Sequence, residues 1–295
     1  MKKNIILSIT LIILTMVLVL FMNVGINKNI LKYILWAIHL SFIITIILKG
    51  KAIRAKRKII LIFTIIVFGI FFGATPNPME SIVKLFKMFN KMGGDPQILW
   101  PSFIIFTLFS IVGSKLICSW GCQLGALQES IFNIPIYKKK YNFKIPFIIS
   151  LVIRMLVFTA FLTLLFGFAY GMVYNVKKFV IPHHVNYFKV FNFRELAVIA
   201  FYTLPILIIA SLFIYRPFCH YICPFGLYSW LLQNISIKKI KINNSKCIEC
   251  RKCISACPTE VMGKIYETKN RYLLPDCWSC GLCIDSCPVD AVEYE

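Results

Sequence analysis

CIECRKCISACP, residues 247 to 258, and CWSCGLCIDSCP, residues 277 to 288, repeat one pattern: Cys-x-x-Cys-x-x-Cys-x-x-x-Cys-Pro. Two-residue steps let three thiolates cap three irons of one cubane, while the fourth cysteine points to a neighbouring cubane. A zinc site wants four ligands in two pairs, not two identical four-cysteine runs. Disulfides do not persist in the cytoplasm, the side on which loop charges place this segment. The spacing therefore predicts two [4Fe-4S] clusters.

With these runs the tail resembles a bacterial two-cluster ferredoxin, a small α+β fold. The crossover gives one cluster Cys247, Cys250, Cys253 and Cys287, and the other Cys277, Cys280, Cys283 and Cys257. Pro258 and Pro288 turn the chain after each fourth ligand, and Ile248, Ile254, Val261, Ile284 and Val292 supply an apolar wall. Charge marks the boundary. From Ile242 onward lie eight of the twelve acidic residues against six bases. Residues 242–295 are thus read as an acidic cytoplasmic domain following a basic one, residues 1–241.

The 295-residue chain is 59% hydrophobic and only 15% charged, with mean hydropathy +0.76, too apolar for a soluble globule. Six apolar stretches, roughly 4–22, 31–48, 59–75, 99–117, 146–173 and 196–215, suit transmembrane helices, since backbone groups in lipid must be satisfied internally. The first has a basic flank like a signal peptide, but its apolar stretch is too long and no small-residue cleavage site follows, so a retained span is expected. Lys2 and Lys3, the loop KGKAIRAKRK (49–58) and the cluster Lys138, Lys139, Lys140 and Lys144 place three segments in the cytoplasm, and with them both termini. The expected architecture is an all-α polytopic domain of six transmembrane helices in the inner or plasma membrane, joined to the ferredoxin. The net charge of +21 lies mostly in loop-end clusters that suit anionic lipid headgroups, so nucleic acid is not an expected partner.

Four cysteines remain: Cys118 and Cys122 in LICSWGCQLG (116–125), and Cys219 and Cys223 in RPFCHYICPFG (216–226). A shift of 101 residues superposes the pairs and also Gly125 on Gly226, Asn133 on Asn234 and Ile136 on Ile237, which reveals an internal repeat. An even number of spans separates the copies, so both pairs reach the cytoplasmic face. Three readings stand for them: small buried hydrophobes, a redox dithiol or metal-ion site, and a third iron–sulfur cluster of [4Fe-4S] or [2Fe-2S] type. In the last, Gly125 and Gly226 allow close backbone approach between segments, and Lys115 and Arg216 offset thiolate charge.

From about residue 99 onward the chain resembles the membrane-bound polyferredoxins of the NapH and NosR type, quinol-dehydrogenase-like subunits with two Cys-x-x-x-Cys-Pro motifs and a two-cubane tail. Cys219, Cys223 and Pro224 match that element fully, whereas Gln123 stands where the first copy would have proline. The resemblance implies electron transfer between the quinone pool, the clusters and a partner reductase system. Rival classes are a copper-reducing or cofactor-assembly factor using the four membrane-edge cysteines, and a structural anchor of a redox complex. No catalytic residue is assigned.

Polar residues within the spans are the candidates for a quinone site: His39 in the second and Arg154 in the fifth. His39 can instead ligate haem or bond a neighbouring helix, and Arg154 can snorkel toward the cytoplasm. His183 and His184 read as loop residues. Residues 79–92 put Ile82, Leu85, Phe86 and Phe89 on one helical face, as for a surface helix in the outer interface.

Overall fold

The computed structural model describes residues 13, 28–49, 53–73, 76–79, 81–82, 85, 96–134, 144–166, 198–270 and 276–294. Five of the six apolar stretches fall on helices: α1 (Lys28–Lys49), α2 (Ile53–Phe63, continuing as a π-helix over Thr64–Phe71), α3 (Pro96–Gly113), α5 (Phe147–Phe166) and α6 (Val198–Phe213). The first stretch lies outside the described residues save Ile13, as do His183 and His184. Among the described residues Leu31–Leu48 is long and apolar enough to cross a membrane, and Trp100–Gly113, Phe147–Ala160 and Tyr202–Phe213 are shorter apolar helices.

The α1 sequence shows why these helices form and what they bury. Trp36, Leu40, Ile43 and Ile47, at steps of four, three and four, face the core, while Leu31, Leu35, Ile38 and Phe42 repeat the same steps on an exposed face. On α5 the burial is inverted: Ser150 and Arg154 are buried, while Ile148, Ile149, Val152, Met155 and Leu156 are bare.

Each Cys-x-x-x-Cys segment is entered through a left-handed residue, Ser114 (φ 59°) or Arg216 (φ 51°), and leads into a short helix. In the first copy, a π-turn over Ile117–Gly121 precedes α4 (Gln123–Phe132). The second copy contains α7 (Pro217–Tyr221) and α8 (Pro224–Leu232). Cys122 and Cys223 adopt the same extended conformation at the caps of α4 and α8, with ψ 119° in both. Gln123 thus occupies the first-turn position that Pro224 fills in the other copy, and its amide donates to the Pro76 carbonyl at 3.1 Å.

The C-terminal segment follows as β1 (Ile240–Ile242), α9 (Lys252–Ala256), α10 (Val261–Glu267), α11 (Leu282–Asp285) and β2 (Val292–Tyr294). The strands pair antiparallel with Ile240 opposite Tyr294 and Ile242 opposite Val292. This segment shares one apolar core with the helices, running from Tyr33 through Phe109 and Phe218 to Trp278 and Tyr294. Tyr294 closes the arrangement, its hydroxyl donating to the Gly113 carbonyl at 2.7 Å.

The described part of residues 79–92 departs from the expected surface helix. Met79, Ile82 and Leu85 are buried in protein rather than turned to an interface, and Phe86 and Phe89 lie outside the described residues.

Candidate functional site

The four cysteines of the repeat lie together. Cys118, Cys122 and Cys223 each lie within electrostatic reach of Cys219. Sulfur contacts cross between the copies. Gln128 on α4 donates its amide to Cys219 Sγ at 3.5 Å, and Ser229 on α8 places Oγ 3.5 Å from Cys118 Sγ. Gln128 and Ser229 are themselves related by the 101-residue shift. Each copy therefore steadies the first sulfur of the other.

The two glycines differ: Gly125 allows the expected approach between segments, and Gly226 does not. A Cβ at Gly125 would meet Arg216 Nη1 at 2.7 Å and the Cys118 carbonyl oxygen at 2.8 Å, and one at Gly226 would meet the carbonyl oxygen of Cys219. At both glycines the turn folds back on the first cysteine of its own copy, and at Gly125 the same gap also admits Arg216 from the other copy.

Two buried carboxylates organise the surroundings. Glu129 on α4 accepts from Arg57 (2.5 and 2.8 Å), from Arg216 (2.9 and 2.6 Å) and from the Tyr215 hydroxyl (2.6 Å). Burial alone would push its pKa up, but the two guanidinium groups prevail and hold it down at about 2. Asp276, beside Cys277, pairs with Lys115 and Arg154 and lies 2.8 Å from His220 Nε2. Burial opposes its charge as well, yet Lys115 and Arg154 hold its pKa well below the ordinary carboxylate range. Lys115 and Arg216 thus pair with buried acids, and both still favour the ionised forms of Cys118 and Cys219 as expected. Arg154 does not snorkel out: it is 2% exposed, fixed to Asp276 and the His220 carbonyl. Arg57, in the basic loop 49–58 that the topology reading places in the cytoplasm, is equally buried.

These contacts seat the second cysteine run against the repeat. Arg57 Nη1 donates to the Cys280 carbonyl at 3.4 Å, Trp120 Nε1 to that of Ser279 at 3.0 Å, and Gln233 to that of Cys277 at 2.6 Å. The Trp278 ring packs on His220 (centroids 5.3 Å apart) and Tyr215 (5.9 Å), with the Lys115 ammonium over it at 4.5 Å.

Within the C-terminal segment, Cys257, Cys277, Cys280 and Cys283 line one cavity of about 370 Å³, open mouth included, together with Trp278, Val261 and Ile265. Burial pushes the Cys280 thiol up to about 11, against the pull of Arg57, so these sulfurs are costly to ionise without a cationic centre. Cys253 lies within reach of Cys247 and Cys287, and Cys250 is exposed. Backbone amides donate to sulfur at Cys277 (from Ser279, 3.5 Å) and Cys287 (from Ala291, 3.2 Å), as thiolate ligands of iron favour. Among the described residues no three His, Cys, Asp or Glu side chains close on one point as a lone ion requires. Sulfurs set apart around a cavity fit a multi-iron cluster, whose ligands sit on different irons.

His39, buried between Phe63 and Phe68, lies 3.0 Å from Thr64 Oγ1, which donates to the Ile60 and Trp120 carbonyls. Among the described residues His39 and Arg154 share no hydrogen-bond partner.

Comparison with known proteins bears on the same residues. A family described as a 4Fe-4S dicluster domain matches residues 240–294, a second of that description matches 217–261, and a 4Fe-4S binding domain matches 98–144. The chain is 27% identical over 163 residues to "Putative electron transport protein YccM" of Escherichia coli, a match covering 54% of this chain and 45% of that protein. Two uncharacterised proteins of Methanocaldococcus jannaschii also match: MJ0749 (22% identical, 54% of this chain and 57% of the relative) and MJ0750 (26%, 66% and 79%). The chain thus spans about half the length of the first two relatives. No solved structure matches. Cavity, sulfur contacts and family matches converge: this is an iron–sulfur protein with ferredoxin-like 4Fe-4S domains in its C-terminal region.

Proposed function

We propose that the chain is a multi-pass membrane protein of the NapH and NosR type that carries electrons between the quinone pool, its iron–sulfur centres and a partner reductase system. The observation that carries this reading is the seating of the second cysteine run on the repeat, where Trp278, next to Cys277, packs on His220, next to Cys219. Iron–sulfur clusters, when bound, supply one-electron exchange. Cys247, Cys250, Cys253 and Cys287 hold the first at the exposed end, where Ile248 is bare and a soluble partner can approach. Cys257, Cys277, Cys280 and Cys283 hold the second at the buried end, and Cys118, Cys122, Cys219 and Cys223 hold a third beside it. Matches of 4Fe-4S families to both Cys-x-x-x-Cys segments favour the third, and the E. coli relative's name favours electron transport.

The membrane assignment draws support from burial. A helix such as α5, with serine and arginine inside and isoleucine, valine and leucine bare, is stable where the surrounding medium is hydrocarbon. The basic loops then face the cytoplasm, and both termini with them. His39 is the quinone candidate, because Thr64 and Trp120 connect it by hydrogen bonds to Ser279 in the second cysteine run.

The full chain, prepared anaerobically in detergent, should contain about ten to twelve irons and lose one spectroscopic signal on Cys118→Ala or Cys219→Ala alone. About eight irons, with four free thiols in the repeat, would remove the third centre. His39→Ala should slow cluster reduction by a menaquinol analogue and leave dithionite reduction intact; unchanged quinol kinetics would free His39 from that role.

A further inference from the structure

Glu129 receives two guanidinium groups, so this buried knot carries one positive charge without a counter-charge of its own. Each guanidinium also reaches a cysteine backbone on a different side. Arg57 donates to the Cys280 carbonyl in the second run, Arg216 donates to the Cys118 carbonyl in the first copy of the repeat, and both meet on the Ser119 carbonyl (3.1 and 2.6 Å). Arg57 is held flat by the Trp120 ring, 4.1 Å away, whose indole N–H bonds Ser279. Neither arginine is more than 2% exposed, so water does not screen the charge. A carboxylate needs only one such partner to be satisfied. The second arginine leaves a fixed excess of positive charge between two sets of cysteines.

We propose that Arg57 and Arg216, clasped on Glu129, are positioning residues that hold the second cysteine run against the first Cys-x-x-x-Cys segment and raise the reduction potentials of the centres on both sides together. Reduction adds negative charge, which a nearby buried cation favours; centre potentials follow local charge and hydrogen bonding. Because one knot touches both sides, its effect has the same sign at each. The energy step for an electron passing between the two is then little changed, while both levels move relative to an outside donor. The inference rests on the four repeat cysteines holding a centre.

The test is a redox titration of the full chain, followed by the spectroscopic signals of the second cluster and of the repeat centre. Arg57→Gln removes the excess charge and should lower both midpoints. Glu129→Gln doubles the excess and should raise both. A tenfold change in each reduction equilibrium, about 59 mV for one electron, is the expected scale. Loosening of the structure would instead move both variants in the same direction. Arg57→Lys keeps the charge and loses the fork, so midpoints near those of the native chain are expected even where docking weakens. Same-sign shifts for Arg57→Gln and Glu129→Gln, a shift confined to one centre, or an Arg57→Lys shift as large as that of Arg57→Gln would each overturn the inference. A native chain with no signal from the repeat cysteines would instead bring down the underlying reading of that site.

Discussion

The two cysteine runs follow nearly the same backbone path and live in opposite surroundings. Positive φ recurs at matching places, Glu249 (56°) with Ser279 (49°) and Arg251 (55°) with Gly281 (78°), because the cysteine spacing dictates the loop. The side chains between the cysteines diverge. Lys246 before the first run makes a half-exposed pair with Glu293, whereas Asp276 before the second is 1% exposed and pairs with both Lys115 and Arg154. Ile248 is 60% exposed where Trp278 is 2% exposed. Ser255 donates to the Lys252 carbonyl of its own helix at 3.0 Å, while Asp285 at the same place in the second run accepts from the Ile53 and Arg54 amides at 3.1 and 3.3 Å. The cysteines decide what is held, and the residues between them decide what is met. One run is left open to a visitor and the other is fastened to the helices.

That contrast can be broken at its strongest point first. Asp276→Ala leaves two buried cations unpaired and should cost about 3–5 kcal/mol, against about 0–1 kcal/mol for Lys246→Ala. Thermal unfolding in detergent, followed by tryptophan fluorescence, measures both, and equal losses would abolish the distinction. Next comes the left-handed position. Gly281→Ala forces a side chain to φ 78° and against Ile53, whose carbons would lie 3.1 Å from the new Cβ, so a cost of about 1–3 kcal/mol is expected. Arg251→Ala, already non-glycine and exposed, should stay within about 0.5 kcal/mol.

Chelation sharpens the same contrast kinetically. Iron held at the exposed Cys250 end should be stripped by a water-soluble chelator before iron at Cys280 and Cys283, as followed by the loss of distinct spectroscopic signals. Simultaneous loss would mean that the fastened run gains no protection. Acid loosens the fastened run alone. Glu129 sits at about 2 in the folded chain against an ordinary 4.5, so its contribution is complete above about pH 4.5 and fades as pH falls toward 2. Docking should hold from pH 7 to 5 and loosen below that, with the Glu129→Gln variant lacking this part of the acid dependence.

Much of this was legible in the sequence for a local reason: cysteine spacing within a run is short-range, and so is hydrophobic periodicity. The repeat was also legible, because identical residues recur 101 positions apart. The cross-bonding of Gln128 and Ser229 was not, since those equivalents differ in type and a search for identities passes over them. Arg57, Lys115 and Arg216 read as topology or charge-balancing residues because their partners lie 72, 161 and 87 positions away. One signal was available. Glu129 is among only four acids before residue 242, and a rare acid in apolar sequence needs a partner. For Gly125 and Gly226 the residue type was informative but not which backbone it accommodates.

The crossed sulfur contacts of the repeat also set a timetable. Gln128 steadies Cys219 and Ser229 steadies Cys118, so neither half of the pocket is complete by itself. The halves lie 101 residues apart. At about 5–20 residues per second, the ribosome delivers the second about 5–20 s after the first. Through that interval the first pair of thiols has no cross-partner and must be kept reduced. Tyr294, which bonds Gly113 and fastens the last strand, arrives later still. Maturation of the repeat pocket is thereby deferred until the second copy and then Tyr294 have been made, and the nascent chain depends on a reducing environment for as long as it waits.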